Sequence, residues 1–139
     1  MPQFLFDTDH LTLFERNYPP ILQRLTFQPA NAVAVSAVTV EESLRGRLAA
    51  LARCRNAQDR INSYSQLVGS IDVFSRLPLI DWDHGSEPEF QQLLAMRLRV
   101  GTQDLKIGSI ALANNLTLLT RNRVDFSRIP GLGVDDWSI

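Results

Sequence analysis

Short apolar runs alternate along this chain with longer stretches of helical period, and no other feature constrains the fold as tightly. Gln3-Phe4-Leu5-Phe6, Ala32–Ser36, Leu79-Ile80, Leu116–Thr120 and Val134–Trp137 read as strands, mostly too apolar to have a wet face. Between them the period lengthens. A helix is expected from a Thr8 or Asp9 cap through Leu11, Leu13 and Phe14, with another turn or two over Ile21 to Leu25 after Pro19-Pro20. Thr39 opens a helix carrying Val40, Leu44, Leu48 and Leu51. Residues 57–74 repeat the pattern through Ile61, Tyr64, Val68 and Ile71. Pro88 suits the first turn of a helix that runs from Phe90 to Leu98 and closes at Gly101; a last, strongly apolar helix spans Gln103 to Asn114. Buried strands separated by helices require a parallel sheet of four to five strands with helices on both faces, an α/β fold. No repeat, linker or low-complexity tract interrupts residues 1–139, so a single domain is expected.

Composition narrows the classes further. Hydrophobic residues make up 45% and charged residues 21%, which excludes a disordered or fibrous chain. Charges break every apolar run well short of the ~18 residues of a membrane span, and no basic region precedes an apolar stretch at the N-terminus, so neither membrane insertion nor secretion is expected. Cys54, the single cysteine, has no partner for a disulfide, and a reducing cytoplasm is the simplest setting. The net charge of −1 forces no basic nucleic-acid surface, although all the cations except Lys106 are arginines.

The acids carry the chemical signal. Ligands of open parallel sheets bind outside the carboxyl ends of the strands. Asp7 follows the first strand, Glu42 lies near the start of the helix entered from the second, and Asn122 and Asp125 follow the Leu116–Thr120 strand. Asp104 opens the apolar Gln103–Asn114 helix. Each, taken alone, has a structural use as a helix cap or turn residue. Together at one sheet edge they would repel one another unless a cation sat among them, and oxygen-only donors suit Mg²⁺ or Mn²⁺. Such ions activate water and neutralise charge on a phosphodiester, so metal-assisted phosphodiester hydrolysis is the expected chemistry.

The segments Phe4-Leu5-Phe6-Asp7-Thr8-Asp9, Ser36 to Gly46, Gly101 to Gly108 and Leu118 to Phe126 stand in the order and at the spacing of the PIN-domain nucleases. The chain resembles, within them, the VapC-type toxins of bacterial toxin–antitoxin pairs. Ile129-Pro130-Gly131-Leu132 and Asp136-Trp137 match the usual C-terminal end. The resemblance implies a PIN-like three-layer sandwich and a ribonuclease dependent on Mg²⁺ or Mn²⁺. It implies Asp7, Glu42 (rather than its neighbour Glu41) and Asp104 as metal-binding acids, and a fourth position at Asn122 or Asp125. Thr8 and Thr120 match supporting polar positions. A homodimer, an RNA substrate and an antitoxin whose C-terminal segment lies over the site are implied as partners. Two positions depart from the pattern: Ser43 stands where Leu is usual, and Gly108-Ser109 where Ala residues are common.

Arg45, Arg47, Arg97 and Arg99 are the candidate RNA-binding cations, with solvated helix faces as their ordinary use. His10 and His84, both isolated, read as surface histidines. Trp82 and Trp137 read as core or interface residues, and Phe14, Tyr18, Ile21, Leu22 and Leu25 as either core or a docking surface. Two other readings stand beside the toxin. One is a PIN-fold binding module whose catalytic site has decayed, to which Asn122 and Ser43 lend support; the other is a small phosphatase or DNA nuclease with a similar acidic site.

Overall fold

The computed structural model describes all of residues 1–139. The elements follow the order β1 (Phe4–Phe6), α1 (Thr8–Glu15), α2 (Pro19–Thr26), β2 (Val33–Ser36), α3 (Ala37–Ala52), α4 (Ala57–Ser75), β3 (Leu79–Ile80), α5 (Ser86–Ala95), α6 (Thr102–Ala113), β4 (Thr117–Leu119), α7 (Arg123–Phe126) and β5 (Val134–Asp135). The sheet is wholly parallel, with strand order β3-β2-β1-β4-β5. The chain therefore leaves central β1 on one side to build β2 and β3, and returns on the other to build β4 and β5. β1 is the point where the winding reverses.

Side-chain alternation along these short strands splits the core in two. Leu5, Ala34 and Leu118 face α5, α6 and α7, packing with Leu93, Leu105, Ile107, Ile110 and Phe126. Phe6, Val33, Val35 and Leu119 face the other way, against Leu11 and Leu13 of α1, Ile21 of α2, Phe74 of α4 and Trp137. Helices thus cover both faces of the sheet in three layers. Three residues of the Phe14–Leu25 stretch belong to this second core, Ile21 fully buried and Phe14 and Leu25 packed against it, whereas Tyr18 is exposed and Leu22 lies outside it.

Several expectations are corrected. Asp7, not Thr8 or Asp9, caps α1, and Ser36, not Thr39, precedes α3 as its cap. α5 ends at Ala95 instead of reaching Leu98, because Arg97 turns into the left-handed region at φ 52°. Gly101 is accordingly the N-cap of α6 and not the end of α5. α7 carries no periodic signal and has no counterpart in the sequence reading. The apolar row of α4 faces outward: Ile61, Tyr64, Val68 and Ile71 are each more than half exposed, while Ser70 and Phe74 turn inward. Gly108 has a packing reason, since a Cβ there would lie 2.7 Å from Ile129 Cδ1.

Candidate active site

Strand register sets the level of the site. Phe6 pairs with Val35 on one side and Leu119 on the other, so the next residues, Asp7, Ser36 and Thr120, emerge together at the carboxyl edge of the sheet. Asp7 N–H still donates to Leu119 O at 3.0 Å. The Asp7 side chain then turns to cap α1, where Oδ1 accepts the His10 N–H at 2.7 Å. Asp7 is 6% exposed, and its Oδ2 takes no hydrogen bond from the chain.

An open cleft of about 380 Å³ lies at this edge, walled by Asp7, Thr8, Asp9, Thr12, Glu42, Asp104, Asn122 and Phe126. Ser36 starts α3 by accepting the Thr39 N–H, which brings Glu42 round to the cleft on the next turn. Thr8 Oγ1 donates to Glu42 Oε1 at 2.7 Å and lies 3.0 Å from Thr39 Oγ1, so the start of α1 is linked to α3 across the cleft floor. Asp104 occupies the first turn of α6, where a carboxylate answers the unpaired helix amides. Its pKa is pushed up to about 6, first by burial and then by the negative charges of Glu42, Asp7 and Asp125.

The fourth position divides. Asn122 lines the cleft, and Thr120 Oγ1 accepts its N–H at 2.9 Å. Asp125 stands behind it, accepting from Asn122 Nδ2 at 2.9 Å and paired with Arg128 at 2.8 Å. The structure therefore brings Asp7, Glu42, Asp104 and Asn122 to one cleft, with Asp125 acting on it through charge. Arg45 is paired with Glu41 on the exposed side of α3, Arg97 sits beyond the end of α5, and the Arg99 carbonyl accepts from Arg128; none of the three walls the cleft. Arg47 lies in a longer polar groove of about 740 Å³ between α1, α3 and α4, and this groove shares Thr8, Thr12 and Glu42 with the acidic cleft. Ser43 also faces this groove, where a polar side chain is at no disadvantage.

Sequence reasoning missed two features. Asp9 accepts from Arg121 Nε and Nη2 at 2.6 Å each, and this holds its carboxyl below the usual range. His10 is fully buried, contrary to the surface reading. It is in the first turn of α1 and points under the C-terminal segment, where its Nε2 accepts the Trp137 N–H at 3.2 Å. No local pattern signals that burial. Only the i, i+3 spacing from Asp7 hints at a contact between the two.

The donor set at the cleft is oxygen-only among the acids, which fits a hard divalent cation. The ligand atoms of Asp7, Asp9 and His10 also lie within 4.8 Å of one another. That trio makes a poor ligand set, because Arg121 holds both oxygens of Asp9 and Nε2 of His10 faces an amide N–H.

No family profile matches the sequence. The tRNA(fMet)-specific endonuclease VapC of Salmonella typhimurium is 28% identical over 142 residues, spanning 99% of each chain. Ribonuclease VapC2 of Rickettsia felis is 30% identical over 112 residues, 77% of this chain and 75% of that one. The crystal structure of DNA-bound VapBC from Salmonella typhimurium superposes with a TM-score of 0.81 over 99% of both chains at 24% identity, so it shares the fold. A parallel three-layer sandwich with acids gathered at its switch point is the architecture of a PIN-type nuclease. The chain belongs to the VapC family of ribonuclease toxins.

Proposed function

We propose that this protein is the toxin of a toxin–antitoxin pair, an endoribonuclease whose phosphodiester hydrolysis depends on Mg²⁺ or Mn²⁺ held by Asp7, Glu42 and Asp104, with Asn122 as a neutral fourth ligand. The observation that carries this reading is the single cleft walled by those four residues, three of them acids from separate elements. Such a set is self-repelling without a cation, and the raised pKa of Asp104 supports that account. When bound, the cation supplies Lewis-acid activation of water and neutralises charge on the phosphate. The chain's own part is orientation. Capping turns Asp7 Oδ1 away and leaves Oδ2 for the cleft. The Thr8 hydroxyl fixes one oxygen of Glu42. Thr120 holds the loop that carries Asn122. Asp125 adds negative potential without lining the cleft.

The polar groove along α1, α3 and α4 opens into the cleft and supports the approach of an extended partner, either the RNA strand or the antitoxin segment that occludes it. Arg47 lies in that groove, whereas Arg45, Arg97 and Arg99 act at most as outlying RNA contacts. The outward apolar row Ile61, Tyr64, Val68 and Ile71 supports the homodimer, since a row of that kind is normally covered by a partner. No helix is long and apolar enough to cross a membrane, and we place the protein in the cytoplasm. The decayed-module alternative is not favoured, because all three acids are present at the cleft.

Incubating the purified protein with RNA tests this reading. Cleavage is expected with Mg²⁺ or Mn²⁺ and none with EDTA. Asp7→Asn and Asp104→Asn are each expected to abolish it. Full activity in both variants, or in EDTA, overturns the assignment.

A further inference from the structure

Trp137 N–H donates to His10 Nε2 inside the core. A ring nitrogen that accepts a hydrogen bond carries no proton, so in the neutral imidazole the proton sits on Nδ1. His10 Nδ1 is the one buried side-chain nitrogen or oxygen in the chain without a hydrogen-bond partner. Buried donors are seldom left idle, and an exception near a functional cleft calls for a reason. Its nearest carboxylate oxygen is Asp7 Oδ1, 3.5 Å away, the same oxygen that accepts the His10 backbone N–H.

We propose that His10 is a positioning residue for Asp7: its ring Nδ1–H and its backbone N–H together draw Oδ1 toward α1, so that Oδ2 is presented to the cleft. The inference rests on the metal-dependent reading above and adds to it a residue outside the acidic set. The other end of the ring ties this orientation to the C-terminal segment. That tie is the Trp137 N–H alone: Asp136 Oδ1, 3.5 Å from Nε2, is engaged by the Ser138 N–H and hydroxyl instead. One imidazole thus bridges the end of β1 to the segment after β5, and the aim of Asp7 depends on how that segment is seated. A donor at the far side of a ligating carboxylate fixes its direction, and losing such a partner typically weakens metal binding by about 10–100-fold.

Two amides separate the two ends of the ring. An Asn side chain places its amide near the position of Nδ1, and a Gln side chain near that of Nε2. His10→Asn therefore keeps a donor for Asp7 and loses the acceptor for Trp137; His10→Gln does the reverse. Calorimetric titration with Mn²⁺ and thermal melting are read together on the full chain. His10→Gln is expected to bind Mn²⁺ about tenfold more weakly than the unmodified protein while melting close to it. His10→Asn is expected to keep its Mn²⁺ affinity and to melt lower. A long-range ¹H–¹⁵N spectrum of the metal-free protein is expected to show the ring proton on Nδ1. Parallel losses of affinity and melting temperature in both variants reduce His10 to a structural residue and overturn the proposal. Loss of binding in both without any change in melting makes His10 a ligand and overturns it as well, as does a proton found on Nε2. Mn²⁺ binding without RNA cleavage by the unmodified protein sinks the proposed function and leaves the His10 comparison readable. His10→Gln binding like the unmodified protein, with RNA cleavage intact, sinks only the positioning role.

Discussion

Arg121, two residues past β4, reaches back across the sheet edge to Asp9 and holds both of its carboxylate oxygens at 2.6 Å. The pair sits at the rim of the cleft, with the acid and the cation each about half exposed. Exposed pairs gain little in water, and even a bidentate one is worth at most about 1 kcal/mol. Arg121→Ala is therefore expected to cost no more than about 1 kcal/mol in urea denaturation. Asp9→Asn should cost a similar amount, and the double variant little more than either alone. A larger loss would mean that the pair holds β4 and α1 together as well as shaping the rim.

Asp104 gives the protein a pH signature of its own. Its folded pKa of about 6 lies above the ordinary aspartate value near 4. The folded chain therefore binds the extra proton more tightly than the unfolded one between those values. The sign follows: the metal-free protein loses stability as pH rises from about 4 to about 6, and the loss is complete above that. Asp104 is partly solvated, so the full shift is discounted to about 1–2 kcal/mol. Urea denaturation at pH 4.5 and 7.5 should show Asp104→Asn gaining on the unmodified protein at the higher pH only. Mn²⁺ binding, which needs the carboxylate, should strengthen through pH 6.

What could be read beforehand, and what could not, divides by range of interaction. The three central strands were legible because buried parallel strands are short apolar runs, whereas the edge strands β3 and β5 are marked chiefly by the turns before them, Pro78 and Pro130-Gly131. That Asp7 follows a strand and Asp104 opens a helix was legible because strand ends and helix starts are local features; Glu42 falls one turn further into α3. The end of α5 was not, since the apolar pattern runs on through Leu98 while the backbone turns at Arg97 without a glycine to announce it. The outward face of α4 was not, because periodicity shows which residues share a face and not which way that face points. His10 is buried by a segment 127 residues away, and no window of local sequence contains both partners.

Gly108 sits in α6 where Ile129 comes down on the helix. A Cβ on residue 108 would stand 2.7 Å from Ile129 Cδ1, and Ile129 is 2% exposed, so the methyl has little room to withdraw. Overpacking of this kind costs about 1–3 kcal/mol, against which Ala in a helix recovers about 1. Gly108→Ala is expected to lower stability by about 1 kcal/mol net. Ile129→Val removes the offending methyl. In the Gly108→Ala background it should restore stability, whereas alone it should reduce it. Additive losses in chemical denaturation would show that the close approach is not what selects glycine.

Asn122 is the one uncharged residue of the four that the proposed function assigns to the cation. As the N-cap of α7 it accepts the Asp125 N–H at 3.3 Å through Oδ1, a role that aspartate fills as well. Asn122→Asp therefore leaves the cap intact and adds a charge to a cleft that already strains against its own. Two opposite effects follow from that one charge. Without metal, repulsion from Asp104 and from Asp125, which loses the Nδ2 donor it now has at 2.9 Å, should lower stability by about 1 kcal/mol. With metal, a fourth carboxylate should tighten Mn²⁺ binding several-fold. Thermal melts with and without Mn²⁺ read both at once: the variant should melt below the unmodified protein in EDTA and at or above it in millimolar Mn²⁺. If the order of the two melting temperatures is the same in both conditions, Asn122 does not face the cation.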